Sequence, residues 1–299
     1  SQLSSWSSGL LENQLESYMA RVNYNYKDKY LLTLSGRWDG ASQLAEGNKW
    51  AFFPSAAIAW RLDQECFLKG ITWLDQLKLR LGVGTVGNSA VDRYSTKGAI
   101  NQVTVPFGTG TETGYTFTSA VANRDLGWEK TTQYNLGVDF SLLEGRVNGT
   151  IEGYKSYTTD LLLTVALPSV SGFTSIIANV GETSNMGLDI TINSNVLEKG
   201  DFAWNINATA AWQKDKIESL MNGKEDMVGN NWFIGQSIGV IYNYEKIGIW
   251  QDTPEDQAEM AKFNANGSQF APGKIRVKDQ NGDYRIDGNY DRVIIGNTR

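Results

Sequence analysis

The chain has 299 residues, room for one large β domain or two ordinary ones, and a formal net charge of −6. It has no histidine and a single cysteine, which excludes Ser-His-Asp and Cys-His catalysis, His-ligated metal centres and an internal disulfide. The acidic balance, with no basic patch interleaved with aromatics, argues against nucleic-acid binding, and no apolar run approaches the ~18 residues of a transmembrane helix.

Ten Trp, thirteen Tyr and 31 Gly against five Pro favour β structure with many turns. The first element runs over 15–27: Tyr18, Ala20, Val22, Tyr24 and Tyr26 fall on one face, with Arg21, Asn23, Asn25 and Lys27 on the other. A strand sends successive side chains to opposite sides, so this pattern marks a sheet that is apolar on one face and polar on the other. The second strand, 29–39, repeats it with Tyr30, Leu32, Leu34, Gly36 and Trp38. The third, 49–62, aligns Trp50, Phe52, Ala56, Ile58 and Trp60. The fourth, 76–86, sets Leu77, Leu79, Leu81 and Val83 against Lys78, Arg80, Gly82 and Gly84.

The fifth strand, 129–142, aligns Thr132, Tyr134, Leu136, Val138 and Phe140. A sixth is predicted over 146–157. The seventh, 184–194, shows Met186, Leu188, Ile190 and Ile192, and the eighth, 201–213, shows Phe202, Trp204, Ile206, Ala208, Ala210 and Trp212. Lengths of about 10 residues suit a tilted membrane crossing. The apolar faces carry no Lys or Arg except Lys155, as lipid exposure would require, and Trp and Tyr gather toward strand ends as interface girdles do.

The connections alternate in length. Those at 27–29, 143–146 and 195–200 are short, 87–127 and 158–183 are long, and 39–49 is intermediate. The stretch 63–75 is not very short, with a helical turn expected over 71–75. In bacterial barrels short turns face the periplasm and long loops face out. That parity places 39–49, 87–127, 158–183 and the chain from Lys214 onward outside. A soluble β-sandwich would show similar alternation but no such segregation of loop length. Beyond Lys214, residues 238–244 read as strand. A helix is expected from Thr253 as N-cap, with Pro254 in its first turn, to about Phe263. The expected division is 1–214 for barrel strands and loops, and 215–299 for a loop region associated with the barrel.

Several phrases in these strands resemble the SusC/RagA family of TonB-dependent outer-membrane transporters. They include residues 16–32 (Glu-Ser-Tyr-Met-Ala-Arg-Val-Asn-Tyr-Asn-Tyr-Lys-Asp-Lys-Tyr-Leu-Leu), Phe53-Pro54-Ser55 with Ala59-Trp60-Arg61, and Trp73-Leu74-Asp75-Gln76-Leu77. Asp125-Leu126-Gly127-Trp128-Glu129, Asn185-Met186-Gly187-Leu188, Gly248-Ile249-Trp250-Gln251 and Asp279-Gln280-Asn281-Gly282-Asp283 follow in the family's order. The resemblance implies an all-β fold: an antiparallel transmembrane barrel of about 22 strands closed around an N-terminal plug, of which this chain supplies about eight or more. It also implies energising by the TonB-ExbB-ExbD system, a SusD-like surface lipoprotein as partner, and oligosaccharides or peptides as substrate. The chain shows no signal peptide, plug or closing strands, so a fragment or processed product is expected.

One constellation carries metal chemistry. Asp279, Asn281, Asp283, Arg285 and Asp287 follow the 1-3-5-7-9 rhythm of a Ca2+ loop, with Arg285 giving a backbone carbonyl. Tyr284 stands where Gly makes the sharp turn, and the closing acid is displaced to Asp291. A hydrogen-bonded acidic loop is the competing reading. Tyr115 and Trp128, in the long outer loop, are candidates to stack on sugar rings or, alternatively, to pack the loop. Glu16, Glu129 and Glu152 are the carboxylates from which a glycosidase pair could be drawn, although lumen or loop positions account for them. Three functional readings follow: an importer, a soluble calcium-containing β-sandwich that binds glycans, and a glycoside hydrolase.

Overall fold

A computed structural model describes residues 10 and 12–298, except 99, 109 and 119. The chain forms two compact units that divide between Gly223 and Lys224.

The first unit begins with β1 (Leu15–Tyr26), β2 (Tyr30–Ala41), β3 (Trp50–Arg61) and β4 (Leu74–Asn88). The first long loop then carries β5 (Ile100–Phe107), β6 (Gly110–Phe117) and β7 (Ala120–Val121). Next come β8 (Glu129–Leu142) and β9 (Val147–Thr159), the second long loop with β10 (Leu162–Ala166) and β11 (Ser175–Asn179), and then β12 (Glu182–Lys199) and β13 (Phe202–Ser219). One sheet of eight strands, ordered β1-β2-β3-β4-β8-β9-β12-β13, unites the long elements, each pairing antiparallel with its neighbour. This is the up-and-down connectivity of a barrel wall. Among the described residues no second large sheet exists to make a sandwich, which overturns that reading.

The short connections are tight for a physical reason. In the three-residue connection 27–29, Lys27 and Asp28 both adopt positive φ, 57° and 55°, and the Lys29 N–H closes the turn on Tyr26 O at 3.1 Å. Asn25 Oδ1 accepts the Asp28 N–H at 3.0 Å and holds that turn. The expected helical turn over 71–75 lies elsewhere: a 3-10 turn occupies Leu62–Gln64, and β4 has already begun at Leu74. Asp63 fixes that turn by accepting from Arg61 and Gln64. The last short connection is also shorter than expected. Pairing continues through Glu198↔Ala203 and Lys199↔Phe202, past a bulge between Asn195 and Leu197.

The register sorts the faces as the alternation predicted. Phe52 and Phe53 are neighbours, yet Phe52 is 52% exposed and Phe53 only 4%. Phe52 belongs to the outward apolar face with Val22, Leu34, Ile58, Leu81, Leu136 and Leu188, all exposed. Aromatics band that face at both ends. Tyr18 stacks on Trp50 (6.1 Å) near the long loops, and Tyr26, Tyr30 and Trp60 stack in series (6.5 and 6.2 Å) near the short turns. The expectation that Lys155 is the lone cation on the face needs correction. Lys130 stands at the outer end of β8, and β13 extends to Ser219, so its alternation adds Lys214 and Lys216.

The second unit holds β14 (Val240–Tyr244), β15 (Lys246–Ile249), α1 (Pro254–Ala265), β16 (Ile275–Val277) and β17 (Arg292–Asn297). β14 pairs with β17, and β15 with β16. Thr253 caps α1 as expected, accepting the Asp256 N–H. Trp250, Met260 and Phe263 form the core of this unit, with Phe270 and Ile286 against them.

Candidate functional site

The face opposite the apolar one is a continuous polar surface. Cross-strand pairs ladder over it: Thr33 donates to Asn23 (3.0 Å), Ser35 meets Ser55 (2.6 Å) and Thr131 meets Thr158 (2.8 Å). At the centre, Arg80 donates Nε and Nη2 to the two Asp139 oxygens at 2.9 and 3.0 Å, and Nη2 reaches Glu152 at 3.1 Å. Lys78 adds a contact to Asp139 at 2.9 Å, and Thr150 a hydrogen bond at 3.1 Å. The sheet register permits this cluster. Gly137 sits between Arg80 and Glu152, and a Cβ there would come within 2.9 Å of Arg80 Nη2. Two cations and two carboxylates balance, so this part of the lumen is polar without net charge.

The three outer connections fasten together above it. Ala41, Leu44, Phe53, Leu126 and Trp128 make a buried cluster, with Val91, Leu162 and Ile177 packed against it. Its backbone is tied by the Ala45 N–H to Leu126 O at 2.9 Å and by Asn48 Nδ2 to Asp125 O at 2.9 Å. Asn179 stitches two loops, accepting the Gly127 N–H (2.7 Å) while its amide donates to Gly127 O and Asp160 O (both 3.0 Å). Beside this cluster opens a polar cleft of about 710 Å³, lined by Glu12, Asn13, Gln43, Lys49, Arg93 and Tyr94 among others.

The sugar-stacking candidates part company here. Trp128 is 6% exposed, lies edge-on to Phe53 at 5.3 Å and donates its indole N–H to Lys49 O at 2.8 Å. Its faces are taken by protein, so packing is its role and the stacking expectation is corrected. Tyr115, on β6, is 66% exposed. The three glutamates do not converge. Glu152 pairs with Arg80, Glu129 accepts the Leu162 N–H at 3.0 Å, and Glu16 accepts from Tyr18.

In the second unit, Asp279 accepts the N–H groups of Gly282 and Tyr284, both at 2.8 Å, and Asp283 that of Arg285 at 2.8 Å. Asp287 accepts those of Asn289 (2.8 Å) and Tyr290 (3.2 Å), and Asn281 that of Asp283 (3.2 Å). Asp291 is fully buried and closes the loop on Gln280 and Asp287 N–H at 2.9 and 2.8 Å. Tyr284 makes the sharp turn itself, at φ 58°, with its ring against Phe263 at 5.4 Å. The acids thus cap their own backbone. Among the described residues no three His, Cys, Asp or Glu side chains gather to hold a metal ion, so the donor set as placed does not form a cation cage.

Glu65 and Glu245 are among the charged groups outside the wall that their neighbours tune. Glu65, below the short-turn girdle, is held below the usual carboxylate range by the Trp60 indole N–H, the Tyr30 hydroxyl and Lys29. Glu245 is lowered by the Gln280 amide and by Lys278.

The family model for the TonB dependent receptor-like β-barrel matches residues 4–297. The TonB-dependent receptor SusC of Bacteroides thetaiotaomicron is 37% identical over 91% of this chain, which spans 29% of that protein. The TonB-dependent receptor P39 of Formosa agariphila is 30% identical over 95% of the chain, again covering 30% of its length. Among solved structures, the RagAB peptide transporter superposes with TM-score 0.72 at 26% identity, covering 79% of this chain and 26% of that one. The RagAB peptide importer in its closed-closed state gives 0.74 at 23% identity, covering 94% and 30%. An apolar outer face, a polar inner face, alternating loop lengths and these likenesses agree: the chain belongs to the TonB-dependent receptor-like β-barrel family and forms part of an outer-membrane barrel.

Proposed function

We propose that the chain builds part of the wall and outer mouth of a TonB-energised importer of oligosaccharides or peptides that works with a SusD-like surface lipoprotein. The observation that carries this reading is the two-faced sheet: hydroxyl, amide and balanced charged groups line one side, while the other is apolar. A polar lumen of this kind suits solutes that hydrogen-bond along their length. The likeness to SusC and to the RagAB peptide importer supports the same class. Tyr115 and the polar cleft at Lys49, Arg93 and Tyr94 are the proposed first contacts for substrate. Calcium bound by Asp279, Asn281, Asp283, Arg285 and Asp287 is a further part of the proposal, and it requires those oxygens to converge on one ion. The importer reading implies no catalysis.

The test is to purify the full-length protein from the outer membrane in mild detergent and identify what accompanies it. Uptake of labelled oligosaccharide and peptide pools is then followed with and without TonB. A surface lipoprotein in the complex and TonB-dependent uptake of one pool are expected. Recovery without a partner and with no TonB-dependent uptake of either pool overturns the reading. Calorimetric titration of calcium decides the loop: absence of heat removes the metal from the proposal.

A further inference from the structure

Charge facing lipid is costly at mid-membrane and is tolerated near the headgroups. The cations of this wall obey that rule and are not spread evenly. On β9, β12 and β13, Lys155, Met186 and Lys214 form one rung: Met186 pairs with Lys155 on one side and with Lys214 on the other. The next rung outward is Tyr157, Ser184 and Lys216. Both rungs lie near the ends of β9 and β13 that lead into the outer connections. Lys216 is neutralised by Glu218 at 2.8 Å, which also accepts from Ser184 at 2.7 Å. Lys155 lies over the Tyr157 ring at 4.9 Å. Lys155 and Lys214 are both exposed, and they stand on the same face.

Directly below, toward mid-membrane, the face is hollow. A shallow apolar groove of about 720 Å³ runs from Ile58 and Leu81 past Leu136 and Gly153 to Met186 and Trp212. Gly153 makes it possible, since side chains flank it on the adjacent strands while it contributes none: Leu136 stands on one side and Leu188 on the other. Lys155 forms part of the groove's own lining, so cation and hollow are one continuous surface.

From this juxtaposition we infer that the wall carries a binding site for a phosphate-bearing lipid of the outer leaflet, with its acyl part in the groove and its phosphate between Lys155 and Lys214. Two ammonium groups on one rung complement a single phosphate, and the apolar hollow beneath them faces the bilayer, where an acyl chain already runs. Juxtamembrane lysines attract anionic lipid in this manner.

The experiment uses the full-length transporter in nanodiscs of phosphatidylcholine containing lipid A as probe, with dephosphorylated lipid A and phosphatidylglycerol as comparisons. Lipid retained on the protein is counted by native mass spectrometry after exchange into detergent. Wild type is expected to retain lipid A, and K155Q/K214Q to lose occupancy on the order of tenfold. K155R/K214R should recover it, and dephosphorylated lipid A should be retained by none. Heat-shifted mobility on gels shows that each variant is folded. Equal retention by the glutamine variant, or equal retention of the dephosphorylated lipid, overturns the site. Retention of phosphatidylglycerol in place of lipid A overturns the assignment to a lipid of the outer leaflet. A mass change from a second protein chain, with no lipid lost, overturns it in favour of a protein contact.

Discussion

The wall and the outer loop cluster are built from the same residue types and turn them in opposite directions. On the wall, Phe52, Ile58, Leu136 and Trp212 point away from the protein. In the cluster, Phe53, Leu126, Leu44 and Trp128 point toward one another. The wall is surrounded by hydrocarbon, so its backbone must be satisfied by neighbouring strands and its apolar surface needs no cover. The loops are surrounded by water, so they must assemble an apolar core of their own. Phe52 and Phe53 show that a single peptide step separates the two regimes.

The largest break expected of this comparison is Trp128→Ala. It removes the centre of the loop cluster and a hydrogen bond to Lys49 O, and should cost about 3–5 kcal/mol of local stability. Hydrogen exchange would rise at 41–48, 123–128 and 177–179 while β8 and β9 stay protected; unchanged loop protection would refute the cluster's role. Next is Leu136→Arg, on the outward face midway along β8. A cost of about 2–4 kcal/mol is expected in vesicles, read by denaturant unfolding, whereas Asn135→Arg on the inner face should cost much less. Equal costs would mean that the faces are assigned wrongly.

A smaller effect sharpens the polar side. Gly137→Ala should displace the Arg80 guanidinium from Glu152 at about 1 kcal/mol, because the pair is partly solvated. A double-mutant cycle with Glu152→Gln checks it: the two changes should be non-additive. The smallest effect concerns pH. Glu65 has a folded-state pKa below its unfolded one, so its stabilising contribution is present above the unfolded value and is lost as pH falls through the folded value. Glu65→Gln should therefore lower stability slightly at neutral pH, and the two proteins should converge as pH falls through the folded value. Thermal unfolding of the two proteins across the acid range measures this.

The eight wall strands were legible because period-two alternation is local: each strand announces its own faces, although the seventh and eighth run on to Lys199 and Ser219, past their expected ends. The capped helix from Pro254 was legible for the same reason. What escaped depended on register or on distant partners. Arg80, Asp139 and Glu152 lie on three strands, and only the pairings Arg80↔Gly137 and Gly137↔Glu152 bring them together. Trp128 stayed open between stacking on sugar and packing the loop because nothing in its neighbourhood names Phe53 or Lys49 as its partners. The β5–β6 hairpin, inside the longest connection, did leave a signal: alternating Val103, Val105 and Phe107, which pair with Gly114, Glu112 and Gly110, run up to Gly108 at the turn. Lys214 and Lys216 fell beyond the expected strand end, so their place on the outward face became visible only with the extra pairings of β13.

The aromatic bands also give the protein a built-in optical depth gauge. Trp38 and Trp50 stand exposed on the lipid side toward the outer ends of their strands, Trp212 exposed on the rung of Leu136 nearer mid-membrane, half-buried Trp60 near the short turns, and Trp128 and Trp250 are sealed in protein. Lipids brominated at successive carbons should therefore quench the emission in stages set by strand position, and should leave the fluorescence of Trp128 and Trp250 intact. The height of the wall in the bilayer becomes readable by fluorescence, without a single label added.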